Sequence, residues 1–246
     1  MLDLPFATRD RTFGVPEAPE DALCPLTHNW RPNLVLLLAP VAPLTPWSRR
    51  FKRLMDIVLA CAGMVVTAPL TLLIAIAIVV ESAGPVLFWQ RRIGLYGVPF
   101  LMLKFRTMRP HDDDPGSLRQ ATRHDPRVTR VGRWLRRYSV DELPQFLNVL
   151  KGEMSIVGPR PHAPGTRAGG RLFEDVTRRY TARHCVQPGI TGLAQVRGWR
   201  GETDTEEKLL RRIDSDLEYI ATWSAGLDIK IIWRTVLAVF HMRNAY

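Results

Sequence analysis

Asp141 and Glu142 stand side by side in SVDELPQFLNVLKGEMSIVGPRP, residues 139 to 161, within a chain whose positive charge is almost all arginine. Adjacent carboxylates admit two readings. In the structural one, Ser139-Val140-Asp141-Glu142 is a capping box: the serine oxygen caps the third helical amide and the glutamate reaches back to the cap amide. Acids also suit the positive end of a helix. In the chemical one, a carboxylate of pKa ~3.9 is already ionised at pH 7, so it needs no general base to act as a nucleophile. Toward a nucleotide diphosphate its obstacle is charge repulsion, which nearby cations must relieve. Arg136 precedes the pair, and Arg160 follows in Gly158-Pro159-Arg160-Pro161. The two prolines restrict the backbone around Arg160 and disfavour helix, which presents its guanidinium from a stiff, extended support suited to an anion clamp. A Mg²⁺ ion held by Glu142 and phosphate oxygens would complete the set of cations.

The elements that must position these groups divide the chain in three. Residues 1–48 are rich in proline and show no sustained helical period, so they read as an irregular arm. From Ile57 to Val80 no residue is charged, a run of roughly 36 Å if helical, long enough to span a bilayer. Pro69 interrupts it, removing a backbone donor and clashing with the preceding turn. Basic residues flank both ends: Arg49, Arg50, Lys52 and Arg53 before, Arg91 and Arg92 after. A simple span would place one cluster outside the cytosol, whereas a helix that enters, breaks at Thr67-Ala68-Pro69 and returns keeps both inside. Residues 49–82 are therefore expected as a re-entrant helix-break-helix, with the hydroxyl of Thr67 or Thr71 serving the carbonyl that the proline frees. A kinked transmembrane helix is the alternative.

Residues 83–246 read as a cytosolic domain. Two β-prone runs around Gly94 to Gly97 predict a hairpin. Asp112, Asp113 and Asp114 fall in a proline- and glycine-flanked stretch that reads as a solvated turn rather than a metal site. Val131, Trp134, Leu135 and Tyr138 share one helical face, with Arg130, Arg133 and Arg137 opposite. Near the end, Ile229, Ile232, Trp233, Val236 and Phe240 define a second amphipathic helix, which either lies on a membrane or closes the core. The expected fold class is α+β: a helix-rich monotopic membrane protein with a small β-hairpin and amphipathic surface helices.

A formal net charge of +10 over 246 residues points to anionic partners: nucleic acid, lipid headgroups or phosphorylated small molecules. No nucleic-acid motif is present, and the apolar run tells against a basic nucleic-acid binder. No CxxC, HxxxH or HExxH spacing supports a zinc or histidine-based metal site.

Several motifs together, KRLMDIVLA, KFRTM, DPRVTRVGRWLRRYSVDELPQFLNVLKGEMSIVGPRP and PGITGLAQVRG, carry a family resemblance. From about Arg49 to Tyr246 the chain resembles the bacterial sugar transferases, monotopic phosphoglycosyl transferases that move a sugar-1-phosphate from a UDP-sugar to a polyprenyl phosphate. The resemblance implies Asp141 as the nucleophile that forms a phosphosugar-enzyme intermediate and Glu142 as the Mg²⁺ ligand. It places Arg136 and Arg160, with Lys104 and Arg106 of KFRTM, near phosphate and substrate. The family's re-entrant helix breaks at a Ser-Pro pair; here the pair is Ala68-Pro69, with Thr67 as substitute for the serine. The chain end resembles the branch of undecaprenyl-phosphate glucose phosphotransferases, which implies UDP-glucose as donor, with UDP-galactose or a UDP-N-acetylhexosamine next, and undecaprenyl phosphate as acceptor. Members of that branch often carry a multi-helix membrane region ahead of the catalytic part. The implied setting is the cytoplasmic face of the bacterial inner membrane, in contact with its lipids, where the reaction starts exopolysaccharide, capsule or O-antigen repeat units. Homo-oligomerisation stays open, and a membrane scaffold without catalysis is the competing reading.

Overall fold

The computed structural model describes residues 45–109, 125–201 and 203–240; Asp112–Asp114 and nearly all of the expected arm lie outside them. The uncharged run forms α1 (Pro46–Glu81), long and apolar enough to cross a membrane. Thr45 caps its start, the side chain accepting from the Ser48 amide, and Pro46 sits where no amide donor is required. The helix thus begins before residue 49, and the expected break is absent: α1 runs through Pro69 as one element. Thr67 Oγ1 donates to the Gly63 carbonyl at 2.7 Å, not to the Val65 carbonyl that Pro69 deprives of its amide partner. Packing explains the continuity. Lys52, Asp56 and Ala60 are buried before the proline, and Ile74 and Ile78 are buried after it against Phe105 and Leu135, so tertiary contacts on both sides offset a local cost of about 3 kcal/mol.

After α1, β1 (Leu87–Ile93) and β2 (Pro99–Phe105) make the expected antiparallel hairpin, in register from Leu87↔Phe105 to Ile93↔Pro99. Its turn needs positive φ at Tyr96 (54°) and Gly97 (76°). Helix α2 (Arg130–Tyr138) is capped twice, by Thr129 Oγ1 on the Gly132 amide and by the Glu81 carboxylate on the amides of Arg130 and Val131 at 2.6 and 2.9 Å. Thus the last residue of α1 closes the first turn of α2, while Leu135 packs with Ile74, Ile78 and Phe105. A Cβ at Gly132 would lie 2.1 Å from the Thr107 carbonyl oxygen, so α2 approaches the strand end as only glycine allows.

Next come α3 (Gln145–Lys151), β3 (Ser155–Val157), the small β4 (Arg167–Ala168) and β5 (Arg171–Leu172) ladder, and α4 (Phe173–Val176). Strand β6 (Gly189–Thr191) pairs parallel with β3, and α5 (Leu193–Val196), α6 (Glu206–Ala221) and α7 (Ala225–Phe240) complete the described chain. The main core joins Val149, Met154, Val157, Leu209, Ile213, Tyr219 and Ile231 to Ala60 of α1. This mixture of helices and small sheets is the α+β class expected.

One polar seam crosses that core. Lys52 Nζ reaches Asp228 Oδ2 at 2.8 Å and the Val157 carbonyl at 3.0 Å. Asp228 also accepts from Tyr219 Oη and Trp223 Nε1, while Asp56 Oδ1 accepts from Ser155 Oγ and the Ile156 amide. Buried charges persist only with such partners. The seam ties the start of α1 to β3, α6 and α7. On α7, Asp228 and Ile231 point inward, whereas Ile229, Trp233, Val236 and Leu237 are exposed, so much of the anticipated apolar face looks outward.

Candidate active site

The carboxylate pair owes its position to a reversal at Ser139. Helix α2 ends there in the left-handed region (φ 57°), and a 3₁₀ turn over Val140–Glu142 carries both acids inward, where each is only 8% exposed. The expected capping box does not form: the Ser139 side chain caps no amide and its Oγ accepts from Arg200. Glu142 is drawn away from the cap amide by full charges, a stronger attraction than a neutral N–H offers.

Arg160 grips Glu142 with both terminal nitrogens, Nη1 to Oε2 at 3.1 Å and Nη2 to Oε1, while Lys104 Nζ lies 2.9 Å from Oε1. Lys104 also stands 3.8 Å from Asp141 Oδ2. Burial raises the affinity of both carboxylates for a proton. In Glu142 the charges of Arg160 and Lys104 overcome burial and hold it well below the ordinary range. In Asp141 burial prevails over Lys104, and repulsion from Glu142 adds to it, so its pKa lies above the ordinary value. The two acids are thus differentiated: Glu142 is a clamped anion, and Asp141 is a loosely held one.

Behind the pair, the Arg160 carbonyl accepts from Arg183 Nη2 at 2.7 Å. Arg183 is itself fixed by Asp216 Oδ2, at 3.0 Å from Nε and 2.7 Å from Nη2, and donates through Nη1 to His162 Nδ1. Accepting at Nδ1, His162 is the neutral imidazole, and burial with the charges of Arg183, Arg212 and Arg92 keeps its pKa well down. Arg92 donates to the Pro161 carbonyl at 3.3 Å, and Arg212 to the carbonyls of Trp199 and Gly201. Burial, then repulsion from Arg160, lowers each of these two guanidinium groups to about 10. Lys104 and five arginines (92, 136, 160, 183 and 212) thus face Asp141, Glu142 and Asp216. A phosphorylated ligand would relieve that excess of positive charge.

Of the residues expected from sequence, Lys104 and Arg160 meet at the carboxylates. Arg136 donates from Nε to Thr107 Oγ1 at 2.9 Å, and its charge acts on Asp141. Arg106 goes elsewhere: it donates to the carbonyls of Ile78, Ser82 and Ala83 and so closes the C-terminal end of α1. Arg92, Arg183, Asp216 and Arg212 were not anticipated; Arg92 counted only as a flank of the apolar run, and no local motif marks the others. No group of three or more potential metal-ligating side chains occurs among the described residues. Glu142 already gives Oε1 to Arg160 and Lys104 and Oε2 to Arg160 Nη1, so it offers a Mg²⁺ ion the remaining lone pair of Oε2, which suits an ion that takes one or two protein carboxylates and fills its other positions with phosphate oxygens and water.

A long, largely exposed apolar helix is joined to a small α+β domain whose buried carboxylates lie among arginines, the arrangement of a membrane-associated protein. The sequence profile of the family described as bacterial sugar transferase matches residues 47–242, and the chain belongs to that family. It is 52% identical over 204 residues to an undecaprenyl-phosphate glucose phosphotransferase of Komagataeibacter xylinus, covering 83% of this chain and 38% of that protein. It is 50% identical over 212 residues to a UDP-glucose:undecaprenyl-phosphate glucose-1-phosphate transferase of Escherichia coli strain K12, covering 84% of this chain and 45% of the relative. A Caulobacter vibrioides protein of the same name is 52% identical over 195 residues, covering 79% of this chain and 72% of the relative. The chain therefore spans less than half the length of the first two relatives and most of the third.

Proposed function

We propose that the chain transfers glucose-1-phosphate from UDP-glucose to undecaprenyl phosphate through a covalent intermediate on Asp141. The observation that carries this reading is the unequal treatment of the two acids: Glu142 is clasped by Arg160 and Lys104, while Asp141 has Lys104 at 3.8 Å. An Asp141 oxygen attacks the β-phosphorus, and the bond to the bridging oxygen breaks. UMP leaves with that oxygen and its electron pair. An oxygen of the acceptor phosphate then attacks the same phosphorus, forming the lipid diphosphate sugar and returning Asp141 as a carboxylate. Arg160 and Lys104 bear on the charge of the diphosphate, and Arg92 and Arg136 add to the positive field. Glu142 would hold Mg²⁺ jointly with phosphate oxygens, and the ion when bound supplies further neutralisation of the diphosphate. The relatives' names support glucose; transfer starts a polysaccharide repeat unit on the lipid carrier.

The same reading has α1 enter the cytoplasmic leaflet of the inner membrane, bend at Pro69 while staying helical on either side, and return on the side it entered. Its support is that both ends are bound to one domain, through Lys52 on Asp228 and through Glu81 on α2. Thiol labelling of single cysteines at the two ends, from one side of sealed vesicles, tests this; labelling from opposite sides rejects it. For the chemistry, UMP release is scored across a panel of UDP-sugars with undecaprenyl phosphate, and intact mass is recorded after donor alone. A hexose-phosphate adduct is expected on the parent chain and lost in Asp141→Asn. A chain that turns over with no adduct at any time rejects the covalent route, and faster release from another donor rejects glucose.

A further inference from the structure

Beside the carboxylates lies a groove of about 180 Å³, bordered by Glu142 and Arg200 and lined mainly by hydrocarbon from Phe146, Ile190, Val196 and Ala238. Its other polar groups are few and, Gln195 Oε1 excepted, are bonded within the protein. The hydroxyls of Thr191 and Thr235 bond each other at 2.6 Å, and Gln195 Nε2 donates to the Ile190 carbonyl at 3.1 Å. A ribose or a nucleobase would find one open acceptor there, Gln195 Oε1, too few partners for its several hydroxyl, amide and carbonyl groups, which disfavours a nucleoside. The volume argues likewise, since pockets enclosing a whole drug-sized ligand run ~300–1,000 Å³. A short length of hydrocarbon chain suits both the size and the lining.

Two neighbours connect this groove to apolar surface. The Phe146 ring packs on Gly63 of α1, where a Cβ would come within 2.8 Å of it. Ala238 belongs to α7, whose exposed residues Trp233, Val236 and Leu237 continue away from the groove. The groove therefore runs from apolar helices to Arg200 and Glu142, the chain neighbour of the proposed nucleophile.

We propose that it holds the phosphate-proximal isoprenoid units of the lipid acceptor, with Arg200 at the phosphate end. The proposal rests on the transferase reading for the identity of that acceptor. Geranyl phosphate bearing a diazirine on its first isoprene unit is photolysed with the full chain in nanodiscs, and labelled peptides are mapped by mass spectrometry. Label is expected within residues 190–196 and 235–238, reduced at least tenfold by excess undecaprenyl phosphate and at least fivefold by Ala238→Trp. Label confined to the outward faces of α1 and α7, or unaffected by the lipid phosphate, overturns the assignment. Displacement by UDP-glucose instead also overturns it, because the groove would then serve the donor. Photolabelling requires no turnover. A chain labelled in the groove that releases no UMP from UDP-glucose keeps the isoprenoid site and loses the transferase reading; one that turns over without groove label loses only the groove.

Discussion

Replacing Lys104 with methionine removes the cation that both acids share, and the effect on Asp141 can be worked from one distance. At 3.8 Å the pair is worth about 1 kcal/mol in a water-like dielectric and about 4 kcal/mol at an effective dielectric of about 20. Their side chains are 17% and 11% exposed, which favours the upper part of that range. Glu142 loses its 2.9 Å contact at the same time and becomes easier to protonate, which weakens its repulsion of Asp141 and trims the net effect without reversing it. The direction is upward: without Lys104 the ionised form of Asp141 is less stable. As the proposed nucleophile Asp141 must be ionised, and it already titrates above its ordinary value, so the acid limb of the pH–rate profile moves further toward neutrality. Single-turnover UMP release from UDP-glucose, measured from pH 4 to 9 (about the ordinary carboxylate range upward), reads the limb directly, and thermal melting reports whether the variant is folded. Lys104→Arg restores the charge and should return the limb most of the way. An acid limb that stays put in folded Lys104→Met, or moves to lower pH, refutes the electrostatic reasoning.

Lys52→Met leaves the fully buried Asp228 without its cation and should cost about 3–5 kcal/mol in denaturant unfolding in detergent, with the added Asp228→Asn recovering much of the loss. Should Lys52→Met cost under about 1 kcal/mol, the seam is not what secures α1. Arg183→Met unpins the Arg160 backbone and should lower kcat about 10–100-fold with little change in the UDP-glucose KM, partly rescued by Arg183→Lys. A fall in melting temperature with kcat intact would make Arg183 purely structural. Gly132→Ala forces α2 off Thr107 and should destabilise by about 1–3 kcal/mol; an unchanged melting temperature contradicts that contact.

What could be read in advance was local. The hairpin followed from two β-prone runs about a glycine-bearing turn, and α2 from its three-to-four spacing, because near neighbours decide both. The carboxylate pair and Arg160 were visible through residue type and proline stiffening. Ser139 was misread, since the capping-box pattern carries no information about a left-handed residue closing the previous helix. Pro69 was misread in the opposite direction: its local cost was clear, but the packing that holds α1 helical beyond it comes from partners as distant as Phe105 and Leu135. Likewise Lys52 with Asp228 and Arg183 with Asp216 are separated by 176 and 33 positions, and nothing short-range announces either pair.

The double attachment of α1 has a mechanical result. A helix moored at one end can tilt and bob, letting its cargo drift above the lipid surface. Moored at both, and lying in a leaflet as proposed, it works as a depth gauge that fixes the height of Asp141 over the headgroups. On that proposal the protein has no freedom to lean toward a lipid acceptor. The buoyant partner would be the acceptor, its phosphate rising to a station that the helix holds still.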